Sequence, residues 1–195
     1  MKNYKRLLAG ILLIVIILTF SGCGTNNIGD YSKPQKVLVT MENGNTFTIE
    51  TAPKYAPETV KNFLTLVESG FYNGLTFHRV IDGFMAQGGD PKGDGTGGSE
   101  KTIKGEFSAN GFKNNTLSHT RGVISMARSN NPDSASSQFF ICYDDVSFLD
   151  GQYAAFGKVV DGMETVDAFL KIKRVGPEGG TPTEDIVIKT MEIIK

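Results

Sequence analysis

The sequence predicts a mainly β fold: a closed, eight-stranded antiparallel β-barrel capped by two α-helices. Three observations carry that expectation. Eight short runs rich in Val, Ile, Thr and Phe are separated by Gly, Asn and Asp. Most of the connections are too short for a crossover, so neighbouring strands run antiparallel. A twisted sheet of eight strands also tends to close, because closure removes its unpaired edges. The 23 glycines among 195 residues suit a fold with many turns. Eight strands leave an interior just filled by side chains, so a ligand is expected outside the barrel.

The fold begins after an N-terminal segment with a different character. Lys2, Lys5 and Arg6 precede an apolar run from Leu7 to Phe20. That run is short for a membrane span and fits a secretory signal. Phe20-Ser21-Gly22-Cys23 then looks like a bacterial lipobox, with Phe20 where Leu is usual. Residues 1–22 are therefore read as a removed, lipoprotein-type signal peptide and Cys23 as the lipidation site. Residues 23–35 are the acylated Cys and a flexible tether, and residues 36–195 a single domain. The tether would hold the domain on the order of 20 Å from the membrane. The expected location is the extracytoplasmic face of a bacterial membrane. Losing Lys2, Lys5 and Arg6 takes the net charge from −1 to −4, which gives no reason to expect nucleic-acid binding. With Cys23 lipidated, Cys142 has no partner and reads as a small buried core residue.

Lys36–Met41 and Thr46–Thr51 form the first hairpin, turning at Glu42-Asn43-Gly44-Asn45. A helix follows, with Val60, Phe63, Leu64 and Val67 on one face, Pro57 in its first turn and Gly70 past its end. Thr76 to Ile81 and Phe84 to Gly88 form the second hairpin around Asp82-Gly83. Gly93-Asp94-Gly95-Thr96-Gly97-Gly98 matches a dinucleotide fingerprint only literally, since no βαβ unit surrounds it. Asp90, Asp94 and Glu100 lack calcium-loop spacing. The stretch reads as a loop beside the site. Gly122 to Ala127, Gln138 to Tyr143 and Ala154 to Val160 are further strands. Asp161 and Glu164 suggest a capping box for a second helix carrying Met163, Val166 and Phe169. Gly176 to Thr183 is a loop, and Asp185 to Ile194 is the last strand.

The second hairpin is the candidate site. Strict alternation puts Phe77, Arg79 and Ile81 on one face and His78 and Val80 on the other, with Met85 and Gln87 sharing a face after the turn. A guanidinium, a thioether, an amide and a ring on rigid sheet suit a small-ligand site.

Phe77 to Asp90 resembles the central motif of cyclophilin-type peptidyl-prolyl cis–trans isomerases. Gly122 to Ala127 with Ser137-Gln138-Phe139-Phe140-Ile141 is similar to the second motif. Phe148-Leu149-Asp150-Gly151 and Phe156-Gly157-Lys158-Val159 are similar to the third. The resemblance runs from about Lys36 to Lys195. It implies a closed eight-stranded barrel with two capping helices, and rotation about X–Pro bonds without cofactor or metal. It implies Arg79 as the catalytic residue. It implies Phe84, Met85, Phe140 and Leu149 as walls of a proline pocket and Gln87 and Gln138 as polar contacts. Ala127 and Arg128 stand where substrate backbone binds, and His78 beside the arginine. Phe148 stands where many members have Trp, which should weaken cyclosporin, and Tyr153 where they have His. The implied partners are proline segments of exported proteins and a membrane held by lipid, with the chain a monomer. Two rival readings exist: a proline-binding module or holdase on the same groove, and a hydrolase using His78, Ser125 and Asp90, which lacks a nucleophile-elbow pattern.

Overall fold

The computed structural model describes residues 30–176 and 180–195. The expected signal peptide, Cys23 and most of the expected tether lie outside the described residues. Eight strands make one antiparallel sheet: β1 (Lys36–Met41), β2 (Thr46–Thr51), β3 (Thr76–Ile81), β4 (Met85–Asp90), β5 (Val123–Met126), β6 (Phe139–Cys142), β7 (Ala155–Asp161) and β10 (Ile188–Ile194), in the order β10-β1-β2-β7-β5-β6-β4-β3. The sheet curls until its edge strands β10 and β3 meet. They meet through a single bridge, Thr76 to Val187, rather than a full ladder. Beside it the Phe77 N–H donates to Ile186 C=O (3.0 Å) and the Ile188 N–H to Leu75 C=O (2.8 Å). β8 (Arg174–Val175) and β9 (Thr181–Pro182) form a small separate pair, and β9 lies within the stretch expected as a loop, Gly176 to Thr183.

Alternation along the strands sorts the apolar residues into two clusters. Val37, Val39, Phe47, Ile49, Ala86, Ile124, Phe139 and Ile141 point into the barrel and fill it. Met85, Val123, Phe140, Cys142 and Ala155, interleaved with them, form a second cluster on the outer face with Val146 and Leu149. The period-2 rule thus gives one sheet a packed interior and an apolar outer patch. Cys142 is buried in that patch, and burial pushes its thiol up to about 12.

α1 (Pro57–Glu68) packs against β10 and β7 through Val60, Phe63, Leu64 and Val67. Its N-cap, Ala56, supplies no side-chain acceptor. A remote carboxylate does: Glu106 accepts from the N–H of Glu58 (3.1 Å), the N–H of Thr59 (2.8 Å) and the hydroxyl of Thr59 (2.7 Å). An anion at a helix N-terminus meets both the orphan donors and the positive end of the dipole.

Two expectations need correction. The second helix has no capping box: α2 (Met163–Asp167) begins at Gly162, with φ 74°, and no side chain caps it. Gly162 is required there because a Cβ would come within 2.5 Å of the Thr46 carbonyl oxygen. Asp161 is instead part of β7, and Phe169 lies in a 3₁₀ turn, Ala168–Lys171, that prolongs the helix. The end of the presumed tether is also docked. Tyr31 is only 8% exposed and joins the core, while the Thr51 N–H donates to Gln35 C=O (2.9 Å) and the Gln35 N–H donates to the Thr51 hydroxyl oxygen (2.9 Å). Polar composition hid one aromatic residue large enough to fasten the segment.

Candidate active site

The Asp82-Gly83 turn forms as read, with Gly83 at φ 67° and the Phe84 N–H donating to Ile81 C=O (3.2 Å). The faces of β3 do not follow strict alternation. Phe77 pairs with Gly88 and Arg79 with Gln87, so His78 is an extra residue without a cross-strand partner. That bulge puts Phe77 in the barrel core with Val80. Arg79 turns outward with Ile81, so the expected sharing of one face by Phe77 and Arg79 is wrong by one step. Bulges bend a strand and re-aim a side chain, and here the side chain re-aimed is Arg79.

Arg79 lines a cavity of about 170 Å³ on the outer patch. The hairpin contributes Arg79, Phe84, Met85 and Gln87. The end of β5 contributes Ala127 and Arg128, and β6 contributes Phe140. Leu149 and Tyr153 come from the turn before β7. The guanidinium carbon of Arg79 lies 5.9 Å from the centre of the Phe84 ring. Tyr153 meets Phe140 edge-on, 5.9 Å between centres. Phe84, Met85, Phe140 and Leu149 are its large apolar residues, and Arg79, Gln87, Arg128 and Tyr153 carry its polar side-chain groups. A wider groove of about 450 Å³ beside Phe169 and Ile172 lacks any such cation and amide pair.

Three residues named from sequence lie outside this lining. Gln138 is next door: its carbonyl accepts from Gln87 Nε2 (2.8 Å), and its amide donates to Gly95 C=O (3.0 Å) and Gly97 C=O (2.7 Å). It fastens the glycine loop to the sheet and so makes a second cavity of about 240 Å³, which shares Gln87, Ala127 and Arg128 with the first. Phe148 is 65% exposed and stacks on Phe84, 5.9 Å between centres. His78 lies with Gly93, Thr181 and Pro182 on another part of the surface. Burial holds its imidazole below the usual histidine range, against the pull of Asp90 and Asp94. Asp90 is occupied within the loop, accepting from the Lys92 N–H (2.8 Å) and the Gly95 N–H (2.6 Å).

The hydrolase triad imagined from sequence does not assemble, but a different one does. Ser125 Oγ lies 2.9 Å from His119 Nε2, and His119 Nδ1 lies 2.8 Å from Asp150. Both Ser125 and His119 are 0% exposed. No substrate carbonyl can reach that hydroxyl, so the chain of hydrogen bonds is structural. The His119 ring stacks on Phe140, 6.1 Å between centres and 16° apart in plane. It therefore backs a wall of the cavity. Sequence reasoning passed over His119 because no spacing rule links it to Ser125 or Asp150; the only signal was that it is one of just two histidines in the chain.

The family whose sequence model is described as "Cyclophilin type peptidyl-prolyl cis-trans isomerase/CLD" matches residues 36–193. The chain belongs to the cyclophilin-type peptidyl-prolyl cis–trans isomerases.

Its relatives bear the same activity in their names. Peptidyl-prolyl cis-trans isomerase A of Dickeya dadantii is 43% identical, over 98% of each chain. A peptidyl-prolyl cis-trans isomerase of Helicobacter pylori strain J99 is 48% identical over 74% of this chain and 85% of its own. Among solved structures, a cyclophilin type isomerase of Cryptosporidium parvum superposes with a TM-score of 0.73 at 33% identity, covering 84% of this chain and 99% of its own. The same protein determined in the presence of the dipeptide Ala-Pro gives 0.72 at 34% identity, with 83% and 99% covered. The isomerase thus has the eight-stranded fold and the enzyme class that its motifs implied.

Proposed function

We propose that the isomerase seats proline in the 170 Å³ cavity and uses Arg79 to ease rotation about the preceding imide bond. The observation that carries this reading is the position of Arg79 at the rim of an apolar hollow formed by Phe84, Met85, Phe140 and Leu149. The Cryptosporidium protein solved with Ala-Pro supports a proline-containing ligand.

The uncatalysed rotation faces a barrier of about 18–20 kcal/mol from amide resonance. No bond forms or breaks. Resonance is lost in the twisted state, and the prolyl nitrogen regains its lone pair. A donor aimed at that nitrogen holds the twisted state more tightly than either planar one. Arg79 suits the task because it stays charged and carries a planar fork of N–H donors. The apolar walls hold the ring still while the preceding carbonyl swings. Each ~1.4 kcal/mol of selective stabilisation is a tenfold gain in rate.

The clients on this reading are exported proteins. The apolar run Leu7 to Phe20 and the Ser21-Gly22-Cys23 sequence support acylation of Cys23 and a domain tethered to the outer face of a membrane. A domain of net charge −4 gains nothing from anionic lipid, so the acyl chains must hold it. Mass spectrometry of the native N-terminus tests the anchor, which fails if Cys23 is unmodified. A protease-coupled assay on a proline peptide tests the chemistry. Arg79→Ala should keep the fold and lose most turnover; near-normal turnover would sink the role given to Arg79.

A further inference from the structure

Arg128 stands on the wall shared by the two cavities. Its guanidinium is clamped between two rings, with its carbon 4.6 Å from the centre of Tyr153 and 5.1 Å from that of Phe107. Nε and Nη2 donate to Gln152 C=O (3.2 and 2.9 Å), and Nη1 donates to Ser129 C=O (2.8 Å). These contacts fix the plane of the group. They engage three of its five N–H donors, and every acceptor is a neutral carbonyl. Among the described residues no carboxylate lies within ion-pair distance of it. Arg121, by contrast, bonds both oxygens of Asp167 (2.8 and 2.6 Å).

The second cavity is otherwise uncharged, lined by Thr96, Ser134, Ser136 and Gln138 beside glycine backbone. It is a polar hollow of about 240 Å³ with one oriented cation and no anion. An arginine held flat with unused donors matches a carboxylate in shape and charge. Because Gln87, Ala127 and Arg128 border both cavities, a peptide with proline in the first reaches the second within a few residues.

We propose that Arg128 sets the charge preference of the isomerase, and that the substrate side chain entering the second cavity is Asp or Glu. The inference rests on proline occupying the cavity beside Arg79.

The test is a set of proline peptides carrying Glu, Gln or Lys at each of the three positions on either side of the proline, assayed with the full chain. At one position the Glu peptide should exceed the Gln peptide in kcat/KM by about fivefold at low salt, with Lys lowest. The advantage should shrink in 1 M NaCl, where the screening length is about 3 Å. Arg128→Gln should bring the Glu-to-Gln ratio near one, and Arg128→Glu should make Lys the better residue. A ratio near one at every position in the wild type overturns the inference, as does a ratio that Arg128→Gln leaves unchanged. The wild-type salt series decides the matter even if both variants fold poorly. Failure of the wild type to turn over the Gln peptides would overturn the seating of proline as well, which separates the two readings.

Discussion

Arg79 faces Gln87 across the β3–β4 hairpin, one step out of the register that Phe77 and Gly88 set. The skipped residue is His78, and the skip is what brings the guanidinium to the outer cavity while Phe77 stays in the core. A one-residue change of register moves a side chain to the opposite face. The bulge is therefore part of the candidate site's construction.

If Arg79 acts as an oriented fork and not only as a charge, Arg79→Lys will not restore activity. We expect kcat/KM to fall at least tenfold in Arg79→Lys and further in Arg79→Ala, the tenfold loss being about 1.4 kcal/mol of transition-state stabilisation. A coupled proline-peptide assay measures it. Wild-type rates in Arg79→Lys would reduce the role of Arg79 to simple electrostatics.

Glu106 is 3% exposed and meets three donors at the start of α1. Truncation leaves the N–H and hydroxyl of Thr59 buried and unpaired. Glu106→Ala should cost about 3 kcal/mol of stability, and Glu106→Gln distinctly less, because the amide still accepts. Urea denaturation of the two variants reads the difference. Equal losses would mean that the charge, and not the acceptor, matters.

His78 and His119 are both held below the ordinary histidine range by burial; Asp90 and Asp94 oppose this at His78, and Asp150 opposes it at His119. Their folded-state values are depressed, so the unfolded chain binds more protons as the pH falls. Stability should be constant above about pH 7 and decline as the pH drops below about 6.5. Asp90 and Asp150 add a second loss. Burial pushes both up, but the hydrogen bonds they accept outweigh it and hold them below the usual carboxylate value. Their contribution is present above about pH 4 and vanishes below it. Thermal melts from pH 8 to pH 3 should show both steps, and His119→Gln should flatten the first. A melting temperature that rises on acidification through pH 6 would contradict the assignment.

Phe148 lies open to solvent, stacked on Phe84 at the rim. It presents no N–H. Phe148→Trp adds an indole donor at that rim, so cyclosporin inhibition should strengthen severalfold while turnover of a proline peptide changes little. An unchanged inhibition curve would place the drug contact elsewhere.

Periodicity and turn chemistry alone specified most of the barrel. The strand runs from Lys36 to Ile194, the Asp82-Gly83 turn and the i, i+3, i+4, i+7 face of α1 are local patterns, and local patterns are written in neighbouring residues. The candidate site came from another source: Phe84, Met85, Gln87, Phe140 and Leu149 are implied by the resemblance of the motifs to cyclophilins, and the fold brings these five residues around one cavity. The tertiary structure decided what depends on residues distant in the chain. Glu106 caps α1 from far along the sequence; Tyr31 anchors a segment that composition made a tether. His119 joins Ser125 to Asp150 behind Phe140. The bulge at His78 turns Arg79 outward, and the rings of Phe107 and Tyr153 hold Arg128 between two cavities. Such contacts are made by packing, which brings together groups that no spacing rule connects.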